Sequence, residues 1–114
     1  NSNQVDAKAL AIEGSDELKV LSPSTCIFYG SSSPSEPPFA KEGEIVTIDQ
    51  TLCLMEAMKM FSPLSLKNFN SKGRVLYPTN QRYKITRILN SDGQQVNQGD
   101  LLFVVKPVDE SNKG

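Results

Sequence analysis

The residues most able to do chemistry form one short stretch, Glu56-Ala57-Met58-Lys59-Met60, which directly follows the apolar run 52–55. Lys59 carries a primary amine on a long, flexible stem, and acylation of that amine gives a stable, uncharged amide. This reaction would change the formal net charge of the chain from −1 to −2. Another enzyme can enclose the amine only if it projects clear of the fold, so we predict Lys59 at the tip of a hairpin.

The segment Ala57-Met58-Lys59-Met60 resembles the biotin attachment signature of the biotin carboxyl carrier proteins, in which biotin acylates the lysine amine. The resemblance implies covalent biotin on Lys59. It also implies that a biotin protein ligase recognises Met58, Met60, Ala57 and Glu56, with Glu56 helping to exclude a lipoyl ligase. Methionine is soft and unbranched, so it adapts to several partner surfaces. The alternative is that Met58 and Met60 only form one face of a strand end.

The turn at Met58-Lys59 is predicted to be unusual for its residue types. A two-residue hairpin loop normally contains Asn-Gly or Asp-Gly, because its central residues need positive φ angles. If the tight turn of the biotin carriers is present, Met58 and Lys59 must adopt positive φ angles. Backbone strain of this kind is typical of functional sites. Ordinary negative φ angles at both residues would contradict this prediction.

Other site chemistries find little support in the sequence. The chain has no histidine, and its two cysteines are not spaced as a CxxC pair, which argues against a zinc site and against histidine-based catalysis. We therefore predict no catalytic residue and no metal ligand. Cys53 lies in an apolar run and is expected to be a buried free thiol. Cys26 stands where the carrier family usually has glycine, and a disulfide between the two cysteines stays open.

Length and composition indicate one ordinary domain. The chain has 114 residues, of which 38% are hydrophobic and 22% charged, and its net charge of −1 argues against a nucleic-acid or membrane binder. No apolar run approaches the length of a membrane span, and no secretory signal opens the chain. The chain does not begin with methionine, so we interpret it as an excised or processed fragment. A carrier of this type is expected in a reducing compartment, the cytoplasm or the plastid stroma.

Taken in order, the chain predicts a flexible flank or linker over 1–16, a biotinyl domain over 17–107 and a tail over 108–114. Extended apolar patterns separated by turn residues predict strands within the domain. The predicted strands are Glu17–Leu21, Cys26–Tyr29, Ile45–Ile48, Thr51–Met55 and Leu101–Val105, with Pro107 ending the last one. Phe28 and Tyr29 are adjacent in the second strand, so their side chains should face opposite sides of the sheet.

Residues 30–38 form a loop rich in serine and proline, which we call the thumb. Its position and spacing resemble the protruding thumb of acetyl-CoA carboxylase carriers, which contacts biotin. The resemblance implies that role for Ser33, Pro34, Ser35, Glu36 and Pro37. Proline stiffens a loop by fixing φ. Composition alone also allows a disordered surface loop without ligand contact.

The two halves of the chain resemble one another at a spacing of 50 residues. Gly43, Val46, Leu52, Leu54 and Met55 recur as Gly93, Val96, Leu102, Val104 and Val105. Together with the family resemblance, this repeat predicts an all-β fold: a flattened barrel or sandwich of two antiparallel sheets with quasi-twofold symmetry. The ends of the domain should lie in the sheet opposite the one that carries Lys59.

The stretch Phe61–Tyr83 departs from the family as an insertion after the lysine hairpin. We expect it to extend the hairpins beneath the tip, with Phe69, Val75, Leu76 and Tyr77 as candidate strand residues. Residues 57–91 contain no Asp or Glu, and the basic residues there are Lys59, Lys67, Lys72, Arg74, Arg82, Lys84 and Arg87. This basic block could dock on an acidic surface of a carboxylase or bind single-stranded nucleic acid, although a solvated loop is the simpler interpretation.

The resemblance implies a carrier function without catalysis by the domain itself. A biotin carboxylase would carboxylate the tethered biotin, and a carboxyltransferase would pass the carboxyl group to acetyl-CoA, making malonyl-CoA for fatty acid biosynthesis. Tethering raises the effective concentration of the cofactor at both enzymes. The alternatives are a biotinyl domain of a propionyl- or pyruvate carboxylase, a lipoyl domain, and an unmodified interaction module. The predicted partners are thus the ligase and the two carboxylase components, with no membrane and no nucleic acid.

Overall fold

The computed structural model describes residues 11, 12 and 14–108. Within them the chain forms eight β-strands and one short 3₁₀ helix, Leu66–Phe69. The strands are β1 (Leu18–Leu21), β2 (Cys26–Tyr29), β3 (Ile45–Val46), β4 (Cys53–Ala57), β5 (Met60–Leu64), β6 (Arg82–Ile88), β7 (Gln94–Val96) and β8 (Leu101–Val108). The all-β prediction is confirmed.

The strands form two four-stranded antiparallel sheets, in the orders β1-β8-β6-β3 and β5-β4-β2-β7. Shifting each strand number by four converts the first order into the second, which is the quasi-twofold relation that the repeat predicted. Under this relation the β4-β5 hairpin corresponds to the pairing of β8 with β1. The first and last described strands therefore lie in the sheet opposite the hairpin that carries Lys59, as predicted.

The repeated residues occupy equivalent places in the two halves. Gly43 and Gly93 precede β3 and β7 with φ angles of 92° and 83°, a backbone that glycine adopts without steric cost. Val46 and Val96 are both 1% exposed. Each copy therefore contributes a glycine turn followed by a valine anchored in the core.

The core lies between the two sheets. Phe28 of β2 and Phe103 of β8 meet there with ring centroids 6.0 Å apart. Phe28 is buried and its neighbour Tyr29 is half-buried, which confirms that the two rings face opposite sides of their sheet. Cys53 is buried and free, as predicted, and Cys26 is likewise a buried free thiol without a positive φ. The disulfide that the sequence left open is thus absent between these two described cysteines.

Several predicted strand bounds were wrong. The third strand is only Ile45–Val46, and the fourth begins at Cys53 rather than Thr51 and runs on to Ala57. Pro107 does not end β8, which continues to Val108, so one residue assigned to the tail belongs to the sheet. The reason is that β1 pairs with β8 only as far as Val105, and proline is tolerated where a strand has a neighbour on one side. The predicted flank 1–16 lies largely outside the described residues, as does the rest of the tail.

The insertion extends the lysine hairpin only through Leu64, the end of β5. The expectation of strands at Phe69, Val75, Leu76 and Tyr77 was wrong: Phe69 ends the 3₁₀ helix and the other three lie in a loop. The side chain of Asn70 closes this loop by accepting hydrogen bonds from the N–H groups of Leu76 and Tyr77 and donating one to the Tyr77 carbonyl. An amide side chain thus replaces the bonds that a neighbouring strand would supply.

The inserted loop covers one end of the core instead of lengthening the hairpins. Leu66 and Tyr77 are both fully buried. The Tyr77 ring contacts the rings of Phe69 and Tyr83, with centroids 6.0 Å and 5.5 Å away. The hydroxyl of Tyr77 is buried without a hydrogen-bond partner.

Candidate functional site

Lys59 lies in the two-residue loop that joins β4 to β5, where Ala57 pairs with Met60. Met58 and Lys59 have φ angles of 54° and 68°, and they are the only described residues other than glycine with positive φ. The unusual turn predicted from the sequence is confirmed. Positive φ at both central residues is the type I′ pattern, whose twist matches that of the flanking strands.

The hairpin tip stands clear of the core. Met58 is 93% exposed and Met60 is 72% exposed, and Ala57 and Lys59 are exposed as well. Large apolar side chains at such exposure contribute little to packing, which argues against the interpretation of the methionines as one buried face of a strand end. Three of the four residues proposed for ligase recognition, Ala57, Met58 and Met60, therefore form one accessible surface around the lysine amine.

Glu56, the fourth of these residues, has a partner inside the domain. Its carboxylate accepts a hydrogen bond from the Tyr29 hydroxyl at 3.1 Å, and this bond together with burial raises the pKa of Tyr29. Phe61 lies opposite Glu56 on β5, and its ring packs against Tyr29 with centroids 5.8 Å apart. Glu56 is thus positioned on the side of the hairpin that faces the thumb loop.

The thumb is an ordered loop closed at its base. Ser31 forms an isolated bridge with Pro38, and the N–H of Phe39 donates to the Gly30 carbonyl at 2.8 Å. Asp92, from the turn between β6 and β7, accepts hydrogen bonds from the Gly30 N–H at 2.7 Å and from the Ser31 hydroxyl at 3.1 Å. One carboxylate from the second half of the chain therefore clamps the base of the thumb.

A cavity of about 320 Å³ lies between the thumb and the hairpin strands. Its lining combines the Tyr29 and Phe61 rings with serine hydroxyls of the thumb. The full lining is Tyr29, Ser31, Ser32, Ser33, Pro34, Leu54, Phe61, Asp92 and Gly93. Aromatic faces beside a few polar groups are typical of sites for small organic molecules.

The predicted thumb residues divide between two places. Ser33 and Pro34 line the cavity. The Ser35 hydroxyl lies 3.4 Å from that of Ser33, and the Glu36 N–H donates to the Ser33 carbonyl, so these two residues shape the loop. Pro37 is exposed and lines a separate groove beside Phe39 and Lys41.

Sequence reasoning missed Asp92, Tyr29 and Phe61 as members of this site. Tyr29 and Phe61 were assigned only to a strand and to the insertion. Asp92 directly precedes the repeated glycine at 93, and a carboxylate in a turn is too common to be singled out. These residues come together only because the two sheets and the thumb meet at this corner.

The basic block of the sequence is divided among several surfaces. Lys67 pairs with Asp49 at 3.3 Å, Lys72 is exposed in the inserted loop, and Lys84 and Arg87 belong to β6. Four aromatic residues are interleaved with this block. Tyr77 and Tyr83 are buried and Phe69 is half-buried, so these three offer little stacking surface for single-stranded nucleic acid. Phe61 is 57% exposed, but its ring packs against Tyr29 beside the thumb. Within residues 11, 12 and 14–108, no group of three or more potential metal ligands occurs, and no helix is long and apolar enough to cross a membrane.

Two antiparallel sheets related by a quasi-twofold axis, with an exposed lysine at a type I′ hairpin tip, form the fold expected of a biotinyl or lipoyl domain. No family model matches the chain. It is 38% identical over 64 residues to the biotin carboxyl carrier protein of acetyl-CoA carboxylase from Cyanidium caldarium. It is 34% identical over 88 residues to the chloroplastic carrier protein 1 of Arabidopsis thaliana, and 34% identical over 84 residues to the carrier protein of Chlamydia pneumoniae.

The chain is therefore a relative of the biotin carboxyl carrier proteins of acetyl-CoA carboxylase, and the resemblance predicted from Lys59 and its neighbours is confirmed. The three alignments cover 56%, 77% and 74% of this chain but only 42%, 27% and 42% of the relatives, so the chain spans less than half of their length. A single-chain, multi-domain long-chain acyl-CoA carboxylase contains a similar fold, with a TM-score of 0.58 at 22% identity. That match covers 91% of this chain and 9% of the carboxylase chain.

Proposed function

We propose that this chain is the biotinyl domain of the biotin carboxyl carrier of an acetyl-CoA carboxylase, with biotin attached through an amide to Lys59. The observation that carries the proposal is the exposed Lys59 between two methionines at a positive-φ hairpin tip. The names of the aligned relatives support the same function. The domain would act as a carrier and leave catalysis to its partner enzymes, in the cytoplasm or the plastid stroma.

The attachment reaction needs an accessible amine and a ligase. The neutral Lys59 amine would attack the carbonyl carbon of biotinyl-adenylate. The C–N amide bond would form as the bond between that carbon and the phosphate oxygen of AMP breaks, AMP would leave, and the amine would give up one proton to solvent. The exposed tip allows a ligase to surround Lys59 without unfolding either strand. Met58 and Met60 would then contribute adaptable apolar contacts to the ligase.

The cavity beside the thumb fits a small bicyclic cofactor with one apolar and one polar side. Tyr29 and Phe61 would contact its apolar surface, and the hydroxyls of Ser31 and Ser33 would face its polar edge. Glu56 would hold Tyr29 in place through their hydrogen bond. When bound, biotin supplies a ureido nitrogen that accepts and releases a carboxyl group; the protein supplies the tether and this resting site.

Intact mass spectrometry after incubation with a biotin ligase, ATP and biotin tests the proposal. Wild type should gain one biotinyl group, whereas Lys59→Ala and Lys59→Arg should gain none. Lys72→Ala is the matched control, because Lys72 is exposed in a loop outside the hairpin, and it should be modified like wild type. An unmodified wild type, with the domain folded and the ligase active on another substrate, would refute the proposal. Acylation by a lipoyl ligase instead would identify a lipoyl domain.

A further inference from the structure

Charge is segregated between the two sheets. The strands of the sheet β1-β8-β6-β3 contain five basic residues and no acidic one: Lys19, Arg82, Lys84, Arg87 and Lys106. The strands of the sheet β5-β4-β2-β7 contain one acidic residue, Glu56, and no basic one. The sequence did not reveal this pattern, because Lys19 and Lys106 lie far outside the basic block at residues 57–91.

Lys84 and Lys106 form the centre of the basic sheet face. They are direct partners on β6 and β8, and both are exposed. Tyr83 and Ile85, on either side of Lys84, are buried in the core, so Lys84 points away from the core. Directly opposed residues of an antiparallel pair lie on the same side of the sheet, which places Lys106 beside it.

Two further cations extend this face. Lys19 on β1 and Arg87 on β6 are both partners of Val104, so they flank it from the two neighbouring strands. Arg87 is exposed and Lys19 is half-buried. On β3, Ile45 is the partner of Lys84 and is 46% exposed, which adds an apolar contact at the edge. We call Lys19, Lys84, Arg87, Lys106 and Ile45 the basic face.

The charges of the basic face are not neutralised within the part of the chain that the structure describes. None of its four cations has a salt bridge there, whereas Lys67 pairs with Asp49 elsewhere. The carboxylates of Glu42 and Glu44, in the turn before β3, accept hydrogen bonds from the backbone N–H groups of Ile88 and Lys41. Like charges placed directly opposite one another destabilise a sheet. Contact with negative charge on a partner outside the domain would offset this repulsion.

We propose that the basic face docks on an acidic protein surface of a carboxylase component whose active site takes up the tethered biotin. This inference rests on the proposed function. An acidic protein fits better than nucleic acid, because no aromatic residue of the basic face is available to stack on bases. The lysine hairpin belongs to the other sheet, so docking through the basic face leaves Lys59 uncovered. Charge complementarity of this kind sets encounter rate and orientation more than affinity.

The experiment compares two double variants of the biotinylated domain with identical change in charge. Lys84→Glu with Lys106→Glu reverses the basic face, while Lys41→Glu with Lys72→Glu reverses two exposed lysines that lie outside its strands. Intact mass must first show complete biotinylation of wild type and both variants, and thermal melting must show that they are folded. Failure of wild type to be biotinylated would refute the proposed function, and the inference resting on it, before any docking is measured.

Two rates are then measured at low and high salt, with both enzymes from the same source. The first is carboxylation of the tethered biotin by the biotin carboxylase, and the second is transfer of the carboxyl group to acetyl-CoA by the carboxyltransferase. Reversal of the basic face should lower kcat/KM about 10-fold with one of these enzymes at low salt, since electrostatic steering changes association by 10-fold or more. The loss should shrink at high salt, and kcat should stay near that of wild type. The control double variant should keep kcat/KM within about 2-fold.

Three outcomes would overturn the docking proposal. They are no effect of the reversal on either enzyme, a loss of kcat/KM by the control variant as large as that of the basic-face variant, and a loss that is the same at all salt concentrations. Saturable binding of a single-stranded oligonucleotide by wild type, abolished by the basic-face reversal, would favour nucleic acid instead.

Discussion

Replacing Met58 with glycine should stabilise the domain. Met58 has a φ of 54° and is 93% exposed, so the substitution removes backbone strain and almost no packing. A left-handed backbone costs a residue with a side chain about 1 to 2 kcal/mol, and glycine loses about 0.5 to 1 kcal/mol more entropy on folding. The difference is a gain of about 0.5 to 1 kcal/mol in the free energy of unfolding, or about 3 °C in Tm for a domain of this size.

Met60→Gly is the matched control for this prediction. Met60 lies in the same hairpin and is also largely exposed, at 72%, but its φ is not positive. Glycine there should lower the free energy of unfolding by about 0.5 to 1 kcal/mol, because it brings entropic cost without relief of strain. The two variants carry the same chemical change, so their opposite signs isolate the backbone contribution.

Urea denaturation at equilibrium, with thermal melting as a second probe, measures both effects. Equal destabilisation by Met58→Gly and Met60→Gly would refute the reasoning, because it would mean that Met58 is not strained. If Met58 is also a ligase contact, the stabilised variant should be biotinylated more slowly than wild type. That combination, higher stability with slower modification, is typical of strain retained at a functional site.

Three further predictions concern the core, the thumb and alkaline pH. Tyr77→Phe should leave stability unchanged or raise it by about 1 kcal/mol in urea denaturation, because it removes a buried hydroxyl that has no partner; a loss of about 1 kcal/mol or more would show that the hydroxyl is bonded. Asp92→Ala should speed hydrogen exchange at the Gly30 N–H by about 10-fold or more, since it removes the carboxylate that clamps the thumb; exchange as slow as in wild type would refute the clamp. Burial, and secondarily Cys26, raises the pKa of Cys53 from 9.0 to about 12, so between these pH values the unfolded thiol ionises while the folded thiol stays neutral. Between pH 9 and 10 stability should then fall by up to about 1.4 kcal/mol per pH unit, and Cys53→Ala should flatten that part of the slope. Burial also raises the pKa of Tyr77 and of Tyr83 above 10.0, so these residues add to the slope at higher pH. An unchanged slope between pH 9 and 10 would contradict the assignment.

The chemistry of the site could be predicted because it rests on short-range sequence. Lys59 and its two methionines form a contiguous motif, and a two-residue loop between paired strands requires positive φ whatever the residue types. The fold class was likewise predictable, because the repeat at a spacing of 50 residues indicates two related halves and the resemblance to the carrier family implies the all-β architecture. Both kinds of information are carried by residues close together or regularly spaced along the chain.

The insertion shows where local pattern fails. Phe69, Leu76 and Tyr77 have the side chains of strand residues, yet Phe69 ends a 3₁₀ helix and the other two lie in a loop that covers the core. The decisive interaction is the side chain of Asn70, which satisfies backbone groups six and seven residues away. Hydrogen bonds of this kind compete with strand pairing, and composition does not show which will prevail.

The sequence by itself determined which lysine is the candidate attachment point, where the hairpin turns and that the domain has two related halves. Only the tertiary structure decided which distant side chains meet, both at the thumb and on the basic face. Asp92 reaches the base of the thumb across 62 positions, and Lys84 meets Lys106 through strand pairing. These contacts join residues distant in the chain, so they exist only once the sheet register and the packing of the two sheets are fixed.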